Sequence, residues 1–309
     1  MSMNFSDEKG QYRDDNYKVY STNIRIDNKV NNWFSAGIAI QGSYVYKNTP
    51  FAKLEDAMTA IPYGDLYDEN GNYTTYPVEG DTNYINLLIN NKSNYRGQGQ
   101  NTKVYINPYI KITPFKGFSW ESRINGTLTH SRSNSFTGQG SYNFIKSGGN
   151  VETDTKASTS QSNYYRYKWE NILTYNFNIG KEHNFVVTGV SSYEHGRSEG
   201  ATASGIGILN NSYLWNNLDN AVTRQSSSSY SMSKRMGWMG RINYSYLGRY
   251  LASVSVRHDG DSRLAKDEKW QTFPAFSLGW RISDEKFMES TKNWLYNLKL
   301  RVGYGETGS

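Results

Sequence analysis

The chain contains no cysteine, so neither a disulfide framework nor a thiolate centre is open to it. It has no apolar run of about 18 residues, the length a membrane-spanning helix needs. Its Lys and Arg residues are scattered. With a net charge of +6 and no basic block, a nucleic-acid surface, which requires clustered positive charge, is excluded. The four histidines, His130, His183, His195 and His258, have none of the spacings of a metal site. There is no Gly-x-Ser-x-Gly elbow. Gly97-Gln98-Gly99 lacks the strand-then-helix context of a nucleotide loop. These gaps point away from an enzyme, and no cofactor or metal is expected. Met1-Ser2-Met3-Asn4-Phe5-Ser6-Asp7 has neither a basic start nor an apolar stretch, so it does not read as a secretory signal.

Aromatic side chains are abundant. They make up 15% of the 309 residues, with 26 Tyr and 8 Trp, although apolar residues reach only 36% and the mean hydropathy is −0.76. A disordered chain would lack those rings. A membrane β-barrel combines low hydropathy with Tyr and Trp girdles, because it needs apolar side chains only at every second position.

Alternation of that kind recurs. In 236–246 one set reads Met236, Trp238, Gly240, Ile242, Tyr244, Tyr246, and the other Gly237, Met239, Arg241, Asn243, Ser245. A period of two puts them on opposite faces of a sheet. Five hairpins are predicted: 17–27 with 33–46, 103–114 with 118–131, 165–179 with 184–195, 237–246 with 250–258, and 272–282 with 298–305. Pro108 weakens its strand locally, since proline removes a ladder hydrogen bond. The turns at 114–117, 180–183 and 247–249 are short. The segments 47–100, 132–162, 198–235 and 259–270 read as long polar loops, with a short helix near 51–60 and an Asn70-Gly71 turn. Short turns at one end and long loops at the other is the asymmetry of outer-membrane barrels.

Candidate ligand residues follow from this layout. Arg257, Asp259, Asp261 and Arg263 form a charged cluster. It either meets a polar ligand in the lumen or at the mouth, or braces the wall by ion pairing, and the second is the expectation. Tyr44, Tyr46, Trp120, Trp238 and Trp280 sit on apolar strand faces and read as interface anchors. Sugar stacking falls instead to lumen or loop aromatics such as Tyr105, Tyr109, Tyr142 and Trp215. Asp65, Asp68 and Asn70-Gly71 lack the complete spacing of a calcium loop, and a turn is expected.

The run from Arg249 to Gly308 carries the most specific signal. It includes Arg249-Tyr250-Leu251-Ala252-Ser253-Val254-Ser255-Val256-Arg257-His258-Asp259-Gly260, Phe273-Pro274-Ala275-Phe276-Ser277-Leu278-Gly279-Trp280-Arg281 and Leu298-Lys299-Leu300-Arg301-Val302-Gly303-Tyr304-Gly305-Glu306-Thr307-Gly308. It closely resembles the SusC/RagA-like TonB-dependent outer-membrane transporters, with weaker matches at Pro114-Phe115-Lys116-Gly117 and Tyr63-Gly64-Asp65-Leu66-Tyr67. The resemblance implies an all-β, antiparallel transmembrane β-barrel. About ten strands of a 22-stranded barrel are present, and the sheet is open as it stands. Residues 1–309 then form one partial barrel, an internal piece without plug, TonB box or C-terminal strands. The implied role is TonB-dependent import of oligosaccharides or peptides across the outer membrane. The implied partners are a SusD-like surface lipoprotein, the TonB complex acting through an N-terminal region, polysaccharide fragments or peptides as ligand, and outer-membrane lipids. A soluble or surface β-rich adhesin and a membrane-barrel hydrolase remain the rivals. An adhesin would fold without detergent, and a hydrolase would need acidic and histidine residues converging at the loop side.

Overall fold

The alternation of the sequence becomes a single antiparallel sheet. The structure, a computed structural model, describes residues 1–52, 54–58 and 60–307. Eleven strands follow one another in chain order, each paired with the next: β1 (Ser2–Lys9), β2 (Asn16–Lys29), β3 (Phe34–Asn48), β4 (Tyr95–Ile112), β5 (Phe118–Thr137), β6 (Lys156–Ile179), β7 (His183–Ile208), β8 (Ala221–Tyr246), β9 (Tyr250–Asp261), β10 (Trp270–Arg281) and β11 (Lys299–Gly305). β1 and β11 stand at the two edges, so the sheet is not closed.

One face is apolar and outward. Ile242, Val254, Leu278 and Leu300 lie on it, and Val254 and Leu278 are 56% and 59% exposed. So many uncovered aliphatic side chains on adjacent strands mark a lipid-facing surface. Rings collect at both ends of this face. Near the short turns, Phe118, Tyr175, Phe177, Phe185 and Tyr244 form an unbroken row with neighbouring centroids 4.8 to 6.5 Å apart. Tyr246, Tyr250 and Trp280 continue it. Toward the other end, His258 stacks on Trp270 at 5.1 Å and Trp238 stacks on the same ring at 5.4 Å. From Trp238 to Tyr246 the strand advances about 26 Å. After tilting, that suits an apolar band about 25 Å tall. Tyr44, Tyr46, Trp120, Trp238 and Trp280 all carry the parity of this face.

The strands run far past the band. β7 and β8 each have 26 residues, about 85 Å of extended chain, where spanning needs about 9–11 residues. This corrects the reading of 132–162 and 198–235 as loops. Thr137 pairs with Lys156, and Ser226–Ser229 pair with Gly200 to Ala203. Beyond the bilayer both faces meet water, so the apolar alternation disappears while the ladder continues. The actual connections are 138–155 and 209–220. β1 was also absent from the sequence reading, because its residues are mostly polar; Phe5 packs against Tyr20 with ring centroids 4.9 Å apart.

The turn end departs from expectation once. The connection 282–298 lies there with the short turns, yet it is long and carries two 3₁₀ helices. The turn at 247–249 is tight because Leu247 and Gly248 both take positive φ, 50° and 70°, the twist a short hairpin needs. The helix expected near 51–60 is a single turn, α1 (Leu54–Ala57), and Lys53 and Thr59 lie outside the described residues, as does Gly308. The buried apolar cluster sits at the loop end, where Phe136, Ala157, Ile208, Trp215 and Ala221 pack together. An asparagine hub stitches the loops there. Asn90 Nδ2 donates to Phe51 O at 2.7 Å, and Asn94 Nδ2 donates to Gly140 O at 2.8 Å.

Candidate functional site

The second face of the sheet is polar, and strand register places its charges in a continuous band. Arg166, Lys168 and Glu170 come from β6, Glu194 from β7, Arg235 from β8, and Arg257, Asp259 and Asp261 from β9. Arg166 Nη2 lies 2.6 Å from Glu194 Oε2, and Arg235 lies 3.7 Å from Glu194 and 2.9 Å from Asp261. Arg263 closes on Asp261 at 2.6 Å. Arg257 pairs with Asp259. Arg263, with Arg235 behind it, holds the Asp261 carboxyl well below the usual carboxylate range. Around these groups lies an open hollow of about 710 Å³. The geometry brings all four members of the sequence-predicted cluster together, and each is already ion-paired within the wall. Such groups are poor free ligands, because a substrate must displace an existing partner.

A second polar hollow, about 560 Å³, opens over β2 to β5. Its register is a small grid. Asp27, Gly37, Tyr109 and Arg123 form one rung; Asn23, Gln41, Tyr105 and Thr127 form the rung four residues along each strand. Between them lie Arg25, Ala39, Asn107 and Asn125. Arg25 Nε donates to Asp27 Oδ2 at 2.6 Å, and the Tyr109 hydroxyl donates to Asp27 Oδ1 at 2.8 Å. Arg123 Nε donates to Glu170 Oε2 at 3.1 Å, which links this hollow to the charged band. Lys103 Nζ sits 4.8 Å from the Tyr105 ring centroid, a cation–π arrangement. Pro108 interrupts the ladder as expected. Asn107 and Pro108 have no pairing partner on β5, and the register resumes unchanged at Tyr109.

The other sequence candidates separate. Trp215 is buried, 7% exposed, in the loop core with the Arg96 guanidinium 5.6 Å from its ring centroid. It is a packing residue and cannot stack a sugar. Tyr142 begins α2 (Tyr142–Lys146), its ring covered by Lys146 at 5.3 Å. The backbone N–H groups of Asn70 and Asn72 donate to Asp68 Oδ1 at 2.9 and 2.8 Å, which makes a turn of that segment. Among the described residues no group of three or more His, Asp or Glu is placed to hold a metal.

Sequence reasoning did not single out Arg166, Glu194, Arg235, Asp27, Gln41 or Asn107. Their signal was present: each occupies the polar parity of a strand whose opposite parity is apolar. What the sequence does not display is which rung faces which.

No family model matches the chain. It is 25% identical over 313 residues to the TonB-dependent receptor P26 of Formosa agariphila, which covers all of this chain and 31% of that protein. It is 43% identical over 88 residues to the TonB-dependent receptor SusC of Bacteroides thetaiotaomicron, across 28% of this chain and 9% of that one. The solved structure of the RagAB peptide transporter superposes with a TM-score of 0.78 at 19% identity, covering 98% of this chain and 34% of that one. The chain therefore spans about a third of the length of the curated relatives that it matches from end to end.

Proposed function

We propose that this chain, which belongs to the SusC/RagA-like TonB-dependent transporters, forms the lumen wall of an outer-membrane importer for oligosaccharides or peptides. The observation that carries the reading is the two-sided sheet. An uncovered apolar face bounded by aromatic rows suits lipid, and a charged, hydrogen-bonding face suits a wet lumen. The full-length protein supplies the remaining strands and a plug coupled to TonB, and a SusD-like surface lipoprotein closes the mouth. Peptides are included because the sheet superposes on that of the RagAB peptide transporter.

Within that importer, Arg257, Asp259 and Arg263 stiffen the mouth of the wall. Tyr105 and Tyr109 meet the cargo. The long strands β5 to β8 raise the wall above the bilayer and carry the loops on which the lipoprotein rests.

The test is transport by the complete receptor in its own cells. Uptake of its glycan or peptide source should vanish on deletion of the receptor gene and, equally, on loss of TonB or collapse of the proton-motive force. Undiminished uptake in cells lacking TonB would remove the reading.

A further inference from the structure

We propose that the turn-side connection 282–298 is a phospholipid-binding foot, a segment that lies along the lipid side of the wall and sets its rings among the headgroups of the nearer leaflet. The inference rests on the apolar face being the lipid face, as the importer reading has it, and it gives the connection a partner that this reading leaves open.

The first observation is where the segment lies. A connection between β10 and β11 could run beneath the lumen, yet this one is tied to the apolar face. Trp280 and Tyr250 are register neighbours on that face, and both hold Glu285 of the connection. Trp280 Nε1 donates to Glu285 Oε1 at 3.0 Å, and the Tyr250 hydroxyl donates to the same carboxylate. Phe287 follows, its ring centroid 6.4 Å from that of Trp280. Beside these rings the apolar face dips. Tyr244, Ala252, Leu278 and Val302 form one row across four strands. Ala252, the smallest of them, floors a hollow of about 300 Å³ that Tyr250 and Trp280 border at the turn end. The hollow has room for part of an acyl chain, so the lipid-facing surface runs without a break to the foot.

The second observation is what the segment turns outward. Ile282, Met288 and Leu295 are half-buried, whereas Phe287, Trp294 and Tyr296 are 65%, 75% and 93% exposed. Trp294 and Tyr296 make no ring contact and no side-chain hydrogen bond among the described residues, so they add nothing to the packing of the wall. Rings with an apolar body and a polar tip favour the boundary between hydrocarbon and water. The charges agree. Asp284 pairs with Arg281 at 3.7 Å and Glu285 with Arg249 at 3.3 Å. Lys286, Lys292 and Glu289 have no ion pair among the described residues. Two free ammonium groups against one free carboxylate suit a layer of phosphates, and Glu289 finds a partner in the ammonium of phosphatidylethanolamine. Continuity with the lipid face favours phospholipid over a soluble protein, because a segment tied to the outer side of the wall at the row of rings meets headgroups first.

The experiment uses the purified full-length receptor, freed of any other cysteine, in vesicles of phosphatidylethanolamine and phosphatidylglycerol. One introduced cysteine at a time carries a nitroxide. Molecular oxygen, which concentrates in the bilayer, and a water-soluble nickel chelate are the relaxing probes. Leu278→Cys marks the lipid face and Ser228→Cys the water. Labels at Trp294→Cys and Tyr296→Cys, each leaving the other two rings in place, should give an oxygen-to-chelate ratio between those references and about threefold or more above the Ser228 value. In the Trp294→Cys protein, Phe287→Ser together with Tyr296→Ser should bring the ratio down to the Ser228 value. Heat-modifiability on gels checks that each variant is folded; should the serine variant not fold, the single labels decide. Ratios at 294 and 296 equal to the water reference would overturn the foot. So would labels closed to both probes, which would mean that protein covers the rings, and so would a ratio indifferent to the serine replacements. The two readings fail separately. A Leu278 label open to the chelate removes the lipid face and the importer reading with it, whereas a Leu278 label in lipid with 294 and 296 in water removes the foot alone.

Discussion

Trp280 Nε1 donates to Glu285 Oε1 at 3.0 Å, and this bond draws the long turn-side connection 282–298 against the row of rings at that end of the wall. Arg249 reaches the other carboxylate oxygen at 3.3 Å. Phe287 then meets Trp280 edge-on at 6.4 Å. Hydrogen bonds from Tyr250 and Trp280 hold the Glu285 carboxyl below its ordinary value of 4.5. One acid thus anchors a segment that would otherwise be a loose loop.

A pH dependence follows, with its sign. A carboxylate whose folded value is depressed stabilises above its ordinary value and loses that contribution as pH falls through the lower one. Protection from hydrogen exchange in 282–298, taken relative to the intrinsic rate at each pH, should hold from about pH 8 to 5 and fall only below about pH 4. Glu285→Ala should raise exchange there at neutral pH and leave β4 to β7 protected. Protection already lost between pH 7 and 5 would contradict the anchor.

The two faces should differ in their tolerance of charge. Arginine at Ile242, Val254, Leu278 or Leu300 is expected to cost about 2–4 kcal/mol near the midplane, measured by urea titration of the folded full-length barrel in liposomes. At Asn243, Ser255 and Ser277, on the polar parity, arginine should cost far less. Equal costs on both faces would remove the membrane assignment.

Sidedness can be read with two introduced cysteines. Ser228 lies in the strand extension of β8 and Lys181 in the turn between β6 and β7. In the full-length receptor, freed of any other cysteine, an impermeant thiol reagent on intact cells should label Ser228→Cys and spare Lys181→Cys. The reverse pattern would invert the wall.

Residues 1–309 expressed alone should not form a monomeric pore. The edges β1 and β11 leave backbone N–H and C=O groups unpaired, each costing several kcal/mol in lipid. In water the apolar face is exposed instead, a surface prone to association. Light scattering should show dispersion only in detergent or denaturant. A soluble monomer with a cooperative thermal transition in plain buffer would count against both the barrel and the importer.

Much of the wall was legible because a half-buried strand writes its environment into every second residue. Met236 to Tyr246 and Leu298 to Tyr304 showed that pattern plainly, and the tight turns at 180–183 and 247–249 showed in their glycines. Where both faces meet water the signal fails. Ser226–Ser229 looked like loop and are strand, since their order comes from backbone pairing with β7. Ser2–Lys9 was missed for a similar reason, its polar residues offering too short a stripe. Trp215, read as a loop aromatic open to sugar, is buried because the connection 209–220 folds back onto Phe136.

The local chemistry of this chain, read residue by residue, determined the fold class, the lipid-facing positions and the candidates Arg257, Asp259, Arg263, Tyr105 and Tyr109. Only the tertiary structure decided which of them are occupied. Asp27 and Tyr109 are 82 residues apart, and Glu194 and Arg235 meet through a register that no local pattern contains. Period-two alternation reports which face a side chain takes, whereas the partner it finds there depends on strand order and on the space a glycine such as Gly37 leaves open.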